Sequence, residues 1–478
     1  MEHRHPVFLT SSFLGIVALC LLVGKSISAV PLLALVIVGG LSLFLFAFLY
    51  TDHAMVLLII AMLLSPELVI GAVSKRQEIM VRIDDLLIVV FMLAWLARTA
   101  VFKDRSFITK LPVNQFILFY CCAFIFSTLK GMIIGNVVPI KGIFYVFKYI
   151  EYFMVFYLAA GAIKNKEQVI TFLKVFILVL AVVNIYACTQ IGSGRVSAPF
   201  QEMPGEPNTL GGYQVLMLGM VLGILTQCRS LSWRGPLLLI LILFTLVPFS
   251  FTESRASYMA MIAMYLTMLF FTKGRMKGVL AAVLAIFVIS SFFFLPSVIK
   301  ERVMYTFGQD IDESVAPVTI GGVTLDPSSS ARIDDWVRLF QKWQKKPFMG
   351  YGITGAGGFV DGQYITLLAE TGVLGLFAFL FLLWNIFHRT LRIYRSTKDD
   401  LYKGLAIGFL SGTSGMIVHA LTANTFIIIR IMEPYWFLAA MVMMVPKLET
   451  KVLSPPVKEK TDVPYLLNTE FLLKNGKV

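Results

Sequence analysis

Apolar runs of about twenty residues recur along nearly the whole chain, each closed by a short polar segment; this is the length a helix needs to cross a bilayer core. An unpaired backbone amide costs several kcal/mol in hydrocarbon, so such runs predict helices whose hydrogen bonds close within the segment. Spans are predicted near residues 7–24, 29–50, 53–71, 84–101, 113–134, 141–163, 168–190, 209–227, 235–251, 256–272, 277–296, 364–388, 403–421 and 426–446. The fold class is therefore all-α, a polytopic transmembrane helix bundle of about fourteen spans. One stretch breaks the rhythm. Residues 297–363 form the single long polar segment, where Pro327, Ser328, Ser329 and Ser330 suit a helix start with Asp334 and Asp335 in its first turn. Ile333, Trp336, Val337, Phe340 and Trp343 then recur at helical spacing and predict an amphipathic helix packed on the bundle or lying in the membrane interface. The chain thus divides into helices 1–11 over 1–296, a loop over 297–363, helices 12–14 over 364–446, and a Lys- and Pro-rich tail over 447–478 expected to be disordered.

Composition agrees with a bilayer as solvent: 58% of residues are hydrophobic, 14% are charged and the mean hydropathy is +0.81. The first apolar run follows Arg4 but no small-residue cleavage site ends it, so it reads as a retained helix. Cys20, Cys121, Cys122, Cys188 and Cys228 fall in or beside spans and none lies in the long loop, so no disulfide framework staples that loop. The net charge of +13 is explained by topology rather than by a nucleic-acid partner. With the amino terminus inside, Arg98, Lys103, Arg105, Lys110, Lys164, Lys166, Arg229, Arg234, Lys273, Arg275, Lys277, Arg389, Arg392, Arg395, Lys398 and Lys403 all fall on the cytoplasmic side, as does the tail. Both termini are then cytoplasmic and the long loop is extracytoplasmic. Lys75, Arg76 and Arg82 are the exception, predicted outside.

Charged residues in or beside spans cost on the order of 3 kcal/mol and are functional candidates. Most cluster at the outer ends: Arg195, Glu253, Arg255, Arg332, Asp361, Arg430 and Glu433. Several guanidinium forks on one face suit a phosphate-bearing lipid head group. Local alternatives exist for each. Arg430 and Glu433, three apart, could neutralise each other; Lys148 and Glu151 read better as a structural ion pair; Arg255 could be a snorkelling hairpin charge and Arg195 an exposed loop charge. His3, His5, His53, His388 and His419 have no spacing suited to a shared metal, and His419 reads as a hydrogen-bonded packing residue. Gly350, Gly352, Gly355, Gly357 and Gly358 are too irregular for a nucleotide loop and read as a flexible turn. No cofactor or metal is expected.

An ordered set of motifs then adds a resemblance. Phe147-Lys148-Tyr149-Ile150-Glu151-Tyr152 is followed by Gly194-Arg195, by Gly205-Glu206-Pro207-Asn208-Thr209-Leu210-Gly211-Gly212-Tyr213 and by Thr252-Glu253-Ser254-Arg255-Ala256-Ser257. Ala331-Arg332-Ile333-Asp334-Asp335-Trp336 and Pro347-Phe348-Met349-Gly350-Tyr351-Gly352 follow, then Asp361-Gly362-Gln363-Tyr364 and Leu367-Leu368-Ala369-Glu370-Thr371-Gly372. In this order the chain resembles the bacterial O-antigen ligase and polymerase family, which transfers glycans from undecaprenyl pyrophosphate. The resemblance implies a bundle like those of C-type glycosyltransferases in the bacterial inner membrane, with Arg255 and Arg332 holding the donor's pyrophosphate. Taken with the outward charges, it leaves Arg195, Asn208, Glu253, Tyr364 and Arg430 as candidate substrate-binding residues. Family ligases carry a histidine where this chain has Asp361, followed by Gly362 where they usually have asparagine, so the departure favours the polymerase branch.

Polymerisation would move glycan to the non-reducing-end hydroxyl of another lipid-linked repeat unit. Two arginines can neutralise charge developing on a departing pyrophosphate without a metal, and Asp361 is the candidate base, with capping of the following helix as its alternative role. The expected partners are the lipid-linked glycan and membrane lipid, with a chain-length regulator as a further candidate and no nucleic acid. A ligase acting on a lipid acceptor and a non-enzymatic lipid-glycan transporter are the competing functions, although the paired interrupted helices of transporters are not evident.

Overall fold

The computed structural model describes residues 31–74, 77–102, 109–201, 205–227, 234–294, 319–320, 323–324, 327–357 and 360–453. These form fourteen helices and two short antiparallel hairpins. The helices are α1 (Pro31–Leu49), α2 (Thr51–Leu64), α3 (Ile83–Val101), α4 (Asn114–Ile133), α5 (Pro139–Ala162), α6 (Lys166–Thr189), α7 (Pro207–Gln227), α8 (Arg234–Ser250), α9 (Arg255–Phe271), α10 (Arg275–Phe294), α11 (Pro327–Lys345), α12 (Gln363–Ser396), α13 (Asp400–His419) and α14 (Ile429–Leu453). Strands β1 (Glu67–Ser74) and β2 (Gln77–Arg82) form the first hairpin; β3 (Thr319–Ile320) and β4 (Val323–Thr324) form the second.

Each predicted span from 29–50 onward coincides with one helix; the span at 7–24 lies outside the described residues. Seven helices, α4–α7 and α12–α14, are long and apolar enough to cross a membrane, and shorter apolar segments lie in α1, α2, α8 and α9. The chain is a multi-pass membrane protein. Three boundaries differ from expectation. The predicted 53–71 span stops at Leu64 and turns into β1, α12 continues to Ser396, and α14 runs through Pro446 to Leu453, so residues 447–453 are helical rather than tail.

Close packing of small residues holds the centre. A Cβ on Gly223 would stand 2.5 Å from the Gly404 carbonyl oxygen and 2.6 Å from Gly408 Cα, so α7 and α13 approach to backbone contact. In lipid, where exclusion of water gives no drive between helices, such an approach supplies the dispersion contact that binds them. Around this pair, α14 presents a buried run from Ile431 to Val445, and Phe437 meets Phe172 and Phe176 edge-on at 5.4 Å.

The helix ends sort into two faces. At one, Lys166 pairs with Asp399, Gln168 Nε2 donates to Asp52 Oδ1 at 2.8 Å, and Arg98 Nη1 donates to Thr51 Oγ1 at 2.6 Å. That face also carries Lys164, Lys273, Arg275, Lys277, Arg395 and Lys403, the residues whose charge predicted a common side. At the other face, the ends of α6, α7, α12, α13 and α14 meet: Gln363 N–H donates to the Ala420 carbonyl at 3.0 Å and Tyr152 OH to the Ile427 carbonyl at 2.6 Å. Arg82, the anomaly in the charge pattern, is buried at this second face. Its Nη2 donates to the Met62 carbonyl at 2.6 Å and pairs with Asp84 at 2.7 Å, so an ion pair accounts for its position and loop topology does not. Lys75 and Arg76 lie outside the described residues.

Candidate functional site

At the second face, five sequence segments converge through side-chain bonds. The hairpin between α8 and α9 carries Glu253 in the left-handed region (φ 49°), a strained conformation for a side-chain-bearing residue. Arg195 braces this turn: its Nε donates to the Thr252 carbonyl at 3.2 Å and its Nη2 to the Glu253 carbonyl at 3.1 Å. Ser254 caps α9, its Oγ accepting from Ser257 N–H at 3.2 Å, which sets Arg255 at the first helical position. The same Ser254 hydroxyl donates to Asn208 Oδ1 at 2.6 Å, so the start of α7 is tied to the start of α9. Arg255 Nη1 donates to Ser329 Oγ at 3.2 Å, one turn before Arg332 on α11. Arg332 then donates Nε to Asp361 Oδ2 at 2.9 Å, and its Nη2 stands in the same ion pair, 2.9 Å from that oxygen. Asn208, Ser254, Arg255, Ser329, Arg332 and Asp361 are therefore successive links of one arc.

A second chain of bonds supports the arc from inside the bundle. Ser257 Oγ lies 2.8 Å from Ser254 Oγ and 3.1 Å from His419 Nε2, and His419 Nδ1 lies 2.7 Å from Thr425 Oγ1. Gly211 and Gly212 admit it: a Cβ on Gly211 would stand 2.2 Å from Ser257 Oγ, and one on Gly212 would stand 3.3 Å from the His419 ring. His419 is thus hydrogen-bonded at both nitrogens and fully buried.

The long loop's helix is amphipathic as predicted, but it begins at Pro327, which moves Asp334 and Asp335 from the first turn to the second. Its face divides. Leu339 is buried and Trp336 half-buried against Ala356, Val360, Ile365 and Ala369, whereas Val337 and Phe340 remain exposed. Trp336 Nε1 donates to the Asp361 carbonyl at 2.6 Å, and a Cβ on Gly362 would stand 2.8 Å from that nitrogen. With φ at 124°, position 362 needs glycine on both counts. Gly362 is also the N-cap of α12 and no side chain caps that end, so Asp361 does not act as a cap.

The two longest motifs form one joint rather than a flexible turn. Tyr351 N–H donates to the Ala369 carbonyl at 3.1 Å, Gly352 N–H to the Glu370 carbonyl at 2.7 Å, and Val373 N–H to the Pro347 carbonyl at 2.9 Å. Thr354 N–H adds a bond to Glu370 Oε1 at 2.7 Å. Gly372, at φ 68°, interrupts α12 to admit this segment.

Two expected substrate residues are engaged elsewhere. Arg430 is 2% exposed; its Nη1 donates to the Leu63 carbonyl at 2.8 Å, and its Nη2 reaches Glu67 at 3.1 Å and the Ser65 and Phe200 carbonyls at 3.3 Å. It anchors the end of α2 and the first hairpin and pairs with Glu67 instead of Glu433, while its buried Nε has no partner among the described residues. Tyr364 OH donates to the Ile417 carbonyl at 2.7 Å, joining α12 to α13. Lys148 and Glu151 do form an ion pair, at 3.3 Å, with Asp85 bound to the same ammonium. Asp84, Asp85 and Glu433 bring carboxylate oxygens within 4.8 Å of one another, flanked by Arg82 and Lys148 as countercharges.

Sequence reasoning missed Ser329, Ser257 and Glu206 as members of the site. Glu206, whose carboxyl meets Asn208 Nδ2 at 3.5 Å, is exposed by area. Protein atoms nonetheless crowd its carboxyl enough to push it above the usual carboxylate range; Asp361 acts in the same direction, and Asn208, Arg195 and Arg332 oppose the rise.

Comparison with known proteins places part of this arrangement. Residues 237–380 match the family described as O-antigen ligase, a stretch from α8 into α12 that includes Arg255, Arg332 and Asp361 and excludes Asn208, Glu206 and His419. No curated protein matches the chain.

Proposed function

We propose that this protein, whose residues 237–380 match the family described as O-antigen ligase, is a polysaccharide polymerase of the O-antigen ligase and polymerase type. It takes a glycan from undecaprenyl pyrophosphate and joins it to a hydroxyl of another lipid-linked repeat unit. The observation that carries this reading is the arc from Arg255 through Ser329 to Arg332 and Asp361, which gathers two guanidinium groups from separate elements at one face of the bundle. A diphosphate is already a good leaving group, and its charge grows as the glycosidic bond breaks. Fixed arginines there stabilise that charge without rearranging, which is the most effective electrostatic contribution an active site makes. Among the described residues Arg332 donates only its Nε–H, to Asp361, which leaves N–H groups of its guanidinium for a ligand.

In this reading the face opposite the basic helix ends lies on the outer side of the bacterial inner membrane, where a lipid-linked glycan is presented, and Arg195 braces the turn that aims Arg255. Asn208 ties that turn to α7, and the transfer is metal-independent. Exposed Val337, Phe340 and Phe348 would let α11 rest in the membrane interface beside the polyprenyl chain. The family description itself supports a second reading, transfer to a lipid acceptor, with the same donor site and a different acceptor.

The experiment is expression of R255A and R332A in cells that depend on this protein for polymer. Both variants should insert in the membrane at normal levels and make no polymer. Normal polymer from both would remove the donor site proposed here. Transfer of single glycan units to a lipid acceptor by the wild type would decide for the ligase reading.

A further inference from the structure

Two carboxylates stand at the arginine arc, and their surroundings differ. Asp361 Oδ2 accepts Nε of Arg332 at 2.9 Å and is ion-paired to its Nη2 at the same distance. A proton arriving on this carboxylate would cancel that ion pair and loosen the guanidinium from its orientation. Glu206 has, among the described residues, a single side-chain bond, the long 3.5 Å contact from Asn208 Nδ2 to its Oε1. Its backbone is fixed: its N–H donates to Gln201 Oε1 at 3.2 Å, its carbonyl accepts from Thr209 N–H at 3.0 Å, and Pro207 follows as the first residue of α7. Asn208, the residue that touches Glu206, is held by Ser254, the residue before Arg255. Behind Ser254 stands the buried chain of Ser257, His419 and Thr425, which directs the Ser254 hydroxyl.

We propose that Glu206 is the general base of the transfer and that Asp361 is a positioning residue for Arg332. The inference rests on the reading of this face as the site of transfer from a diphosphate-linked donor. In the step, the acceptor hydroxyl oxygen bonds to the anomeric carbon and its proton passes to the Glu206 carboxylate. The bond from that carbon to the diphosphate oxygen breaks, and its electron pair leaves with the diphosphate toward Arg255 and Arg332. The crowding that raises the Glu206 carboxyl makes it a stronger base than an ordinary surface glutamate, closer to the pH at which it must work. The carboxyl with no cation bonded to it among the described residues is the one poised to accept a proton; the ion-paired one is the one that holds a cation still.

The test uses the purified full-length protein with a polyprenyl-diphosphate-linked oligosaccharide extracted from the producing cells as donor and acceptor. E206Q should lower kcat by about a hundredfold or more. Its donor KM, and competition by farnesyl diphosphate as a diphosphate probe, should stay within about threefold of wild type. In wild type, kcat/KM should rise with pH through a limb above the usual carboxylate range, because the ionised base accumulates there, and E206Q should lack that limb. E206A should regain part of its rate in sodium formate, a rescue that a purely structural role would not give. D361N should instead raise the donor KM and keep the acid limb. An E206Q enzyme with wild-type kcat, or with the acid limb intact, overturns the assignment, as does formate rescue of D361A in place of E206A. If R255A and R332A both transfer at the wild-type rate while E206Q does not, the donor reading falls and the base remains.

Discussion

Replacing Arg332 by lysine keeps the positive charge and removes the fork, so R332K separates charge from geometry at the donor site. In the structure Arg332 donates Nε to Asp361 Oδ2, with Nη2 in the same ion pair, and among the described residues its remaining N–H groups are left for a phosphate. A lysine ammonium has three donors in all on a flexible stem. It can reach Asp361 or a phosphate oxygen but cannot span both in a fixed plane. Charge-assisted bonds contribute about 1.5–3 kcal/mol each when sheltered. The Arg332 and Asp361 side chains are 28% and 39% exposed, so a figure nearer 1 kcal/mol per bond is appropriate here. Losing one bond to Asp361 and one to phosphate then costs about 2 kcal/mol, which is about thirtyfold in kcat/KM. R332A, which loses the charge as well, should fall by a further factor of about ten. The assay is the initial rate of chain elongation in detergent micelles at saturating acceptor and varied donor. An R332K enzyme within about twofold of wild type would refute the argument that the fork is what the site uses.

Three further outcomes follow from the same contacts. G372A puts a Cβ 2.3 Å from the Phe348 carbonyl in a backbone with φ 68°, and should destabilise the protein by about 2–4 kcal/mol, seen as a lower thermal midpoint in detergent. R430M leaves Glu67 without its partner and three carbonyls without their donor, so yield of folded protein should drop sharply while the folded fraction keeps the wild-type donor KM; a KM increase instead would restore a substrate role to Arg430. G408L drives a side chain into Met220 and the Gly219 carbonyl, and should separate α7 from α13, disrupting the bundle; a normal melting profile would contradict the close-approach account.

The apolar helices were legible because hydrocarbon imposes the same demand on every helix that crosses it, so apolar length alone located them. The end of α2 was written in the sequence too and was overrun: Pro66 holds Ser65 in the extended conformation and brings no N–H to continue the ladder, and Arg430, over three hundred residues away, then bonds the Leu63 and Ser65 carbonyls left at that end. The break in α12 instead depends on Pro347 and Phe348 entering beside Gly372, a tertiary contact that local pattern does not encode. At the site, Arg255, Arg332, Asn208 and Asp361 were singled out by charge and motif, and the structure joins them in one arc. Arg430 and Tyr364 meet backbone carbonyls in the structure, and charge or a hydroxyl near a span end has the same sequence signature whether it meets substrate or a carbonyl. Ser329 and Ser257 gave no signal beyond capping chemistry. Glu206 lay inside a quoted motif, yet only its neighbours in space distinguish it from a solvated glutamate before a helix.

The central claim is tested most directly by reconstitution in proteoliposomes with a polyprenyl-diphosphate-linked repeat unit as sole glycan source, in the presence of EDTA, with products resolved by chain length. The account predicts a ladder of elongated lipid-linked chains from wild type and none from R255A or R332A. Failure of the wild-type protein to elongate, restoration only by added metal, or a full ladder from both arginine variants would contradict it.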